Sequence, residues 1–383
     1  MNIETNNSPH QSIKYRVVAG ESQWALIWKR FKKHRLAQIS GIVLIFLYTI
    51  AAFAEFLSPR SPTYFKASYT YAPPQEIFFF QQKKDGSYEW KPHVLGYKTK
   101  VDPKAMKRTF EPNPKKIIEI VLFPKVKEYH LMGVFPLETR LFGTKRERDP
   151  FYLLGSDRIG RDLLSRLIQG TRISLSIGLI GVIISLVLGV LIGGISGLVG
   201  GTTDSIIQKV IVFLRSLPAI PLWLTLAASL PREWSSIAVY FSITIILSLI
   251  GWTELARVVR GRFLAMKTED FITAAKLDGC SDIRIILRHM VPSFTSHIIA
   301  STTLSIPGMI LAETALSFLG LGLQPPVVSW GTLMQDAQNI RALSTAPWLL
   351  IPGVLAIITI LSMNFLGDGL RDAADPYDQF IKR

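Results

Sequence analysis

Six stretches of this 383-residue chain are apolar over about 20 residues, the length needed to cross the ~30 Å hydrocarbon layer of a bilayer. No other feature limits the fold so sharply. They fall near 36–57, 173–199, 205–230, 236–255, 294–319 and 348–367. In lipid a backbone must satisfy its own hydrogen bonds, which leaves helices for segments of this length. The expected class is therefore an all-α polytopic membrane protein with six transmembrane helices. Two spans are interrupted: the third by Pro218 and Pro221, and the fifth, rich in Ser and Thr, by Pro307-Gly308. Such breaks are tolerated only where protein or a water-filled path replaces lipid. Pro218, Pro221, Ser301, Thr302 and Pro307, with Glu313 further along the fifth span, are accordingly candidates for lining a passage.

The net charge of +15 invites a nucleic-acid reading, but its distribution argues for topology instead. Lys14, Arg16, Lys29, Arg30, Lys32, Lys33 and Arg35 precede the first span. Arg257, Arg260, Arg262, Lys267, Lys276, Arg284 and Arg288 lie between the fourth and fifth, whereas the loop before the sixth has only Arg341. The positive-inside bias puts both termini and the 256–293 loop in the cytoplasm. Residues 58–152 then face outward despite their excess of Lys and Arg, which the rule permits for a loop longer than about 60 residues. The first apolar run is longer than a signal h-region and is read as a retained anchor. With Cys280 the single cysteine, the outward segment holds together without intramolecular disulfides.

Several segments have a character of their own. Residues 1–20 read as loosely held. Residues 21–35 alternate aromatic and aliphatic residues with cations, either as an amphipathic helix on the cytoplasmic leaflet or as the basic flank of a first span. Residues 58–152 form a β-rich extracytoplasmic insertion. Ile77-Phe78-Phe79-Phe80 and Tyr88-Glu89-Trp90 flank a Lys84-Asp85-Gly86 turn, and 116–123 is a second strand-like run. Its role is to dock a partner or to cover the mouth. The stretch 155–170 is expected to be a short helix at the outer surface, with Arg158, Asp162 and Arg166 forming an i, i+4 ladder. Gly189, Gly193, Gly197 and Gly201 recur every fourth residue, spacing that lets another helix backbone approach closely. Residues 319–331, with Pro325-Pro326, suit an outward loop that dips back at the interface.

The chain carries no phosphate-binding loop, metal-ligand cluster, or hydrolase signature. Glu55 and Glu254 lie at span ends, where interfacial exposure is the default. Glu313 lies deepest and is expected to pair with an arginine near the outer mouth. A passage without an energy source directs attention to the polar island at 268–292. Thr268 reads as an N-cap, Ala274 and Ala275 as a flat spot that a groove accepts, and Gly279 as a left-handed C-terminal stop. Ser281 caps a second short helix running up to Pro292.

Thr273-Ala274-Ala275-x3-Gly279 followed by Val291-Pro292 resembles the "EAA" coupling motif of importer-type ABC transporter permeases, with Thr273 in place of Glu and Val291 in place of Leu. Three further blocks resemble the dipeptide/oligopeptide/nickel permease subfamily. They are 155–174, 310–331 with its Ala-Glu313-Thr and Gln324-Pro-Pro, and 364–376 with Asn364-Phe-Leu-Gly-Asp. The resemblance implies a type I ABC importer-like core at 153–367 after a first span at 36–57, with 1–35 and 368–383 cytoplasmic, in the cell membrane of a prokaryote. It implies that this chain forms half of a pore with a second homologous permease subunit. Two ABC ATPase subunits would bind ATP and Mg, and an external solute-binding protein would deliver peptides, oligosaccharides or nickel. This chain would bind no cofactor itself and catalyse nothing. Thr273, Ala274, Ala275, Asp278, Gly279, Ser281, Arg284 and Pro292 would form the contact with the ATPases.

Overall fold

The computed structural model describes residues 23–82, 86–102, 107–231 and 233–374. The reading of 1–20, the Lys84-Asp85 pair of the expected turn and the end of the chain beyond 374 lie outside them. Chain order begins with α1 (Gln23–Phe31), α2 (Arg35–Ala52) and α3 (Ala54–Leu57). Then come β1 (Ile77–Gln82), β2 (Tyr88–Asp102), β3 (Lys107–Leu122), β4 (Lys125–Leu131), β5 (Phe135–Thr139) and β6 (Phe142–Thr144). The remainder is helical: α4 (Leu163–Val199), α5 (Gly201–Ser216), α6 (Ala219–Ala228), α7 (Ser236–Met266), α8 (Asp270–Leu277), α9 (Asp282–Ile285), α10 (Val291–Phe318), α11 (Trp330–Met334), α12 (Ile340–Thr345) and α13 (Ile351–Ala374). Among the described residues five helices are long and apolar enough to span a membrane, and a sixth crossing exists if the bent pair α5–α6 counts as one.

The bundle is centred on α4 and α7, with α10 packed beside them, α13 on α10, and α2 against α13 and α4. Its main core runs from Leu44 and Leu47 through Leu175, Ile177, Ile243, Leu247 and Ile310 to Trp330. α1 sits against α13, where Phe31 and Ile27 meet Ala373, Leu366 and Leu370. α13 continues to Ala374, so residues 368–374 belong to the last helix and not to a separate tail.

The stretch 155–170 departs from expectation. Gly155 and Gly160 have φ of +79° and +82°, which makes 155–162 an irregular turn. The helix starts at Leu163 and runs unbroken for 37 residues. Asp162 caps it, its Oδ2 accepting from Ser165 N at 2.8 Å and Ser165 Oγ at 2.6 Å. The expected ladder does not form, because a capping carboxylate is committed to the first turn. Arg166 pairs with Asp157, and Arg158 reaches Asp336 at 3.3 Å.

The insertion is built on strands β1-β2-β3-β6 in one sheet and a separate β4–β5 hairpin. β1 and β2 are antiparallel with Phe80 opposite Trp90, and the 116–123 run falls in β3 up to Leu122. Val94, Ile118 and Phe151 form one small core and Tyr69, Ala72 and Tyr152 another. The second joins the insertion to the foot of α4: Ser156 Oγ donates to Tyr69 O at 2.5 Å, and Arg60 N donates to Ser165 Oγ at 3.0 Å.

Candidate functional site

The polar island folds as two short helices under the bundle end formed by the α4 C-terminus and the α7 C-terminus. Glu269, not Thr268, occupies the N-cap of α8, and its side chain makes no capping bond. At the other end, Cys280 N donates to Ala275 O at 3.1 Å and Gly279 N to Lys276 O at 3.0 Å. This is the Schellman arrangement, which requires the positive φ of +73° found at Gly279. Asp278 is the C-cap. Ser281 stands at the N-cap of α9 without a side-chain bond.

The second short helix does not stop at Pro292. A π-turn over Ile286–Met290 carries α9 into α10, and Pro292, in the first turn of α10, has no N–H to give to that turn.

Anchoring comes from one face only. Ile272, Ala275, Ile285, Ile286 and Met290 are buried in a cluster with Val190, Leu198, Val259 and Phe263. Thr273 and Ala274 are exposed, as are Asp278, Gly279, Ser281 and Arg284. The two alanines therefore do not make one flat spot: Ala274 faces outward and Ala275 is packed inward, as neighbours 100° apart on a helix must be. Around them Phe271, Leu277, Ile283 and Leu287 are exposed, Leu277 to 85%. A Cβ at Gly279 would meet nothing within 4 Å. Sequence reasoning passed over this apolar rim, although its spacing across two helices was there to be read.

Of the glycine series, three positions share one seam between α4 and α7. A Cβ at Gly189 would lie 2.9 Å from Leu255 Cβ, at Gly193 2.8 Å from Ala256 Cα, and at Gly197 2.8 Å from Phe263 Cβ. Gly201 is not in the seam. α4 ends at Val199, and Gly201 opens α5 with φ +58° and open space around it.

The interrupted third span is two helices meeting at 83°. Leu217 is extended (φ −80°, ψ 133°), as a residue before proline prefers. Pro218 caps α6, and Pro221 lies in its first turn. On α10, Ser301 and Thr302 are half-buried and Pro307 is buried inside the helix. Thr302 Oγ1 is enclosed with no hydrogen-bond partner. Beside α6 a cavity of about 760 Å³ opens between Leu230, Trp234 and Val239 on one side and Gly320, Gln324 and Pro326 on the other.

Glu313 is fully buried, and its partner is not an arginine. Ser317 Oγ donates to Oε1 at 2.8 Å and Ser174 Oγ approaches Oε2 at 3.2 Å. Ser174 Oγ also accepts from Trp330 N at 3.1 Å, and Trp330 Nε1 donates to Thr171 Oγ1 at 3.2 Å. These bonds tie α10, α4 and the 319–331 loop into one knot. Glu55 is likewise no free interfacial acid. Arg172 Nη2 donates to it at 2.6 Å and Arg172 Nε to Ala51 O at 2.6 Å, so the pair clamps the end of α2 to α4. Glu254 pairs with Arg215 well inside α7. Near the bundle's other end, Arg260 grips Asp204 bidentately at 2.5 and 2.6 Å.

The chain is thus a polytopic helical bundle, tied by buried polar contacts at one end and bearing an exposed apolar rim at the other. Residues 163–377 match the family model of the binding-protein-dependent transport system inner membrane component, and 22–74 match the N-terminal transmembrane domain of oligopeptide transport permease C. The oligopeptide transport system permease protein OppC of Haemophilus influenzae is 40% identical over 60% of this chain and 71% of its own length. The dipeptide transport system permease protein DppC of Lactococcus lactis is 33% identical over 91% of this chain and 89% of its own. A solved structure of the MetNI methionine ABC transporter, inward-facing, matches 55% of this chain and 96% of that one at 16% identity and a TM-score of 0.41. The chain belongs to the binding-protein-dependent transport inner-membrane component family, in its oligopeptide/dipeptide permease branch. It is the multi-pass membrane subunit of an ABC importer.

Proposed function

We propose that this chain forms half of the translocation path of a peptide importer and receives the work of ATP hydrolysis through residues 268–292. The observation that carries this reading is the one-sided anchoring of α8 and α9. Their inner face is welded to the bundle end, and their outer face presents Phe271, Leu277, Ile283 and Leu287 to a partner. An ATPase subunit seated there transmits its closure to α4, α7 and α10 through Ile272, Ile285 and Ile286 as a rigid unit. Thr273 replaces the carboxylate of the motif with a hydroxyl that bonds its own helix, to Glu269 O at 3.3 Å. The contact therefore rests on shape and apolar burial more than on charge.

The two ATPases bind ATP and Mg, a second permease completes the pore, and a solute-binding protein delivers the cargo. This chain acts without covalent chemistry. The termini and α8–α9 face the cytoplasm and the insertion faces outward, as the cation distribution supports. The relatives named for oligopeptide and dipeptide transport support peptides over oligosaccharides or nickel. The passage is drawn along α5–α6 and α10, where Pro218, Pro221, Ser301, Thr302 and Pro307 interrupt or polarise the helices.

The test is the transporter reconstituted with its ATPases and binding protein. Gly279→Val forces a β-branched residue to φ +73°, a strain of about 1–2 kcal/mol that distorts the α8–α9 corner. Substrate-stimulated ATP hydrolysis and peptide uptake are expected to vanish while membrane insertion stays normal. Unchanged uptake by that variant would sink the coupling assignment.

A further inference from the structure

The β4–β5 hairpin has no role in the reading above, and its tip is chemically odd. Leu131-Met132-Gly133-Val134 is a two-residue turn, closed by Val134 N donating to Leu131 O at 3.1 Å, with φ of +53° at Met132 and +74° at Gly133. Both central residues of such a hairpin turn are left-handed, and in water the first is usually Asn, Asp or Gly. Here it is methionine, an L side chain in a disfavoured backbone region. Met132, Val134 and Phe135 are all exposed. A second left-handed apolar residue, the exposed Phe123 at φ +52°, stands at the hairpin base with Leu122.

The hairpin's position says what covers this surface. Its base is pinned to the end of the first span: Leu141 N donates to Phe56 O at 2.8 Å, and the Phe123 and Phe56 rings lie 6.3 Å apart. β4 packs along α3, and Tyr129 Oη donates to Thr139 O across the hairpin at 2.6 Å. Glu55 on α3 is clamped by Arg172 to the last carbonyls of α2. From that base the hairpin lies along α3, the short helix that follows the first span, and the 7 residues of β4 carry the tip about 20 Å from the base. Phe46 on α2 and Phe53 at its C-terminal cap are exposed near the same end of the span. β4 carries the exposed Lys125, Lys127, Glu128 and His130 between base and tip, and Tyr129 is of the aromatic type found at membrane interfaces.

We infer that the 131–135 tip and the Leu122-Phe123 corner dip into the bilayer interface and hold the insertion down against the membrane beside the first span. The occupant of this apolar edge is lipid. The inference depends on the membrane-spanning fold and not on the coupling assignment, so the two fail separately.

The test uses the complete transporter in liposomes of phosphatidylcholine and phosphatidylglycerol, with the environment-sensitive amino acid dansylalanine in place of Val134. Retained ATP hydrolysis shows that the assembly is intact. Blue-shifted emission is expected, with most of it lost when the lipids carry bromine on shallow acyl carbons and little lost to aqueous iodide. Quenching by iodide without quenching by brominated lipid would overturn the inference. Protection from both quenchers would overturn it too, because the occupant would then be protein.

Discussion

The two ends of the helical bundle are built on opposite plans. At the insertion end the polar side chains at the foot of the bundle are mostly met from within the chain, although Arg60, Arg140, Asp162 and Arg166 each keep a buried polar atom without a partner. Glu313 is held by serine hydroxyls, Trp330 is buried with both of its N–H groups bonded, and Arg166 is paired with Asp157 under the turn that begins α4. Burial pushes the Asp336 carboxyl above the usual carboxylate range, with the Arg158 guanidinium opposing. At the other end α8 and α9 bury one face and leave four large apolar side chains in the open. A sealed end is costly to disturb from within, whereas an open end is costly to disturb only once a partner covers it. Stability and assembly are thus separable by position along the same helices.

The comparison breaks first at Glu313. Glu313→Ala removes the acceptor shared by Ser317 and Ser174 and leaves donors stranded in the knot, a loss of about 3 kcal/mol. A lower melting temperature and poor yield from membranes are expected, with Glu313→Gln recovering much of both. A wild-type melt for the alanine variant would show that the end is not sealed by this residue. Next is the seam between the ends. Gly193→Ala sets a Cβ against the Ala256 backbone, and overpacking of this kind costs about 2 kcal/mol, again readable as a drop in melting temperature. The same change at Gly201, which faces open space, strains only its own backbone and is expected to move the melt less. Equal effects at both glycines would contradict the seam.

Much of this was legible beforehand, for identifiable reasons. The spans follow from apolar length alone, and the stop at Gly279 from a glycine placed where a helix must turn left-handed. The β-rich insertion followed from β-branched and aromatic runs separated by turn residues. What escaped depends on partners distant in sequence. Arg158, Asp162 and Arg166 have helical spacing, yet Asp162 caps α4 and the two arginines find Asp336 and Asp157. Glu313 was expected to need an arginine, but hydroxyls from Ser174, 139 residues away, do the work, and no periodicity signals that. The inward turn of Ala275 beside the outward Ala274 is set by the packing of α8 on Phe263 and Ile286. A one-residue difference in phase inverts which alanine is presented.

The central claim, that the open end is the seat of an ATPase subunit, is tested most directly at Leu277. It is 85% exposed, and Leu277→Lys places a cation in the last turn of α8, where the helix dipole tolerates it, so the isolated chain is expected to melt as before. In the assembly the lost burial is worth about 2 kcal/mol, or roughly 30-fold in affinity. The measurement is co-purification of the ATPase subunits with this chain from membranes. The account predicts that they are largely lost from the Leu277→Lys variant while its melting temperature is unchanged. Undiminished co-purification, with normal ATP-driven uptake, would contradict it.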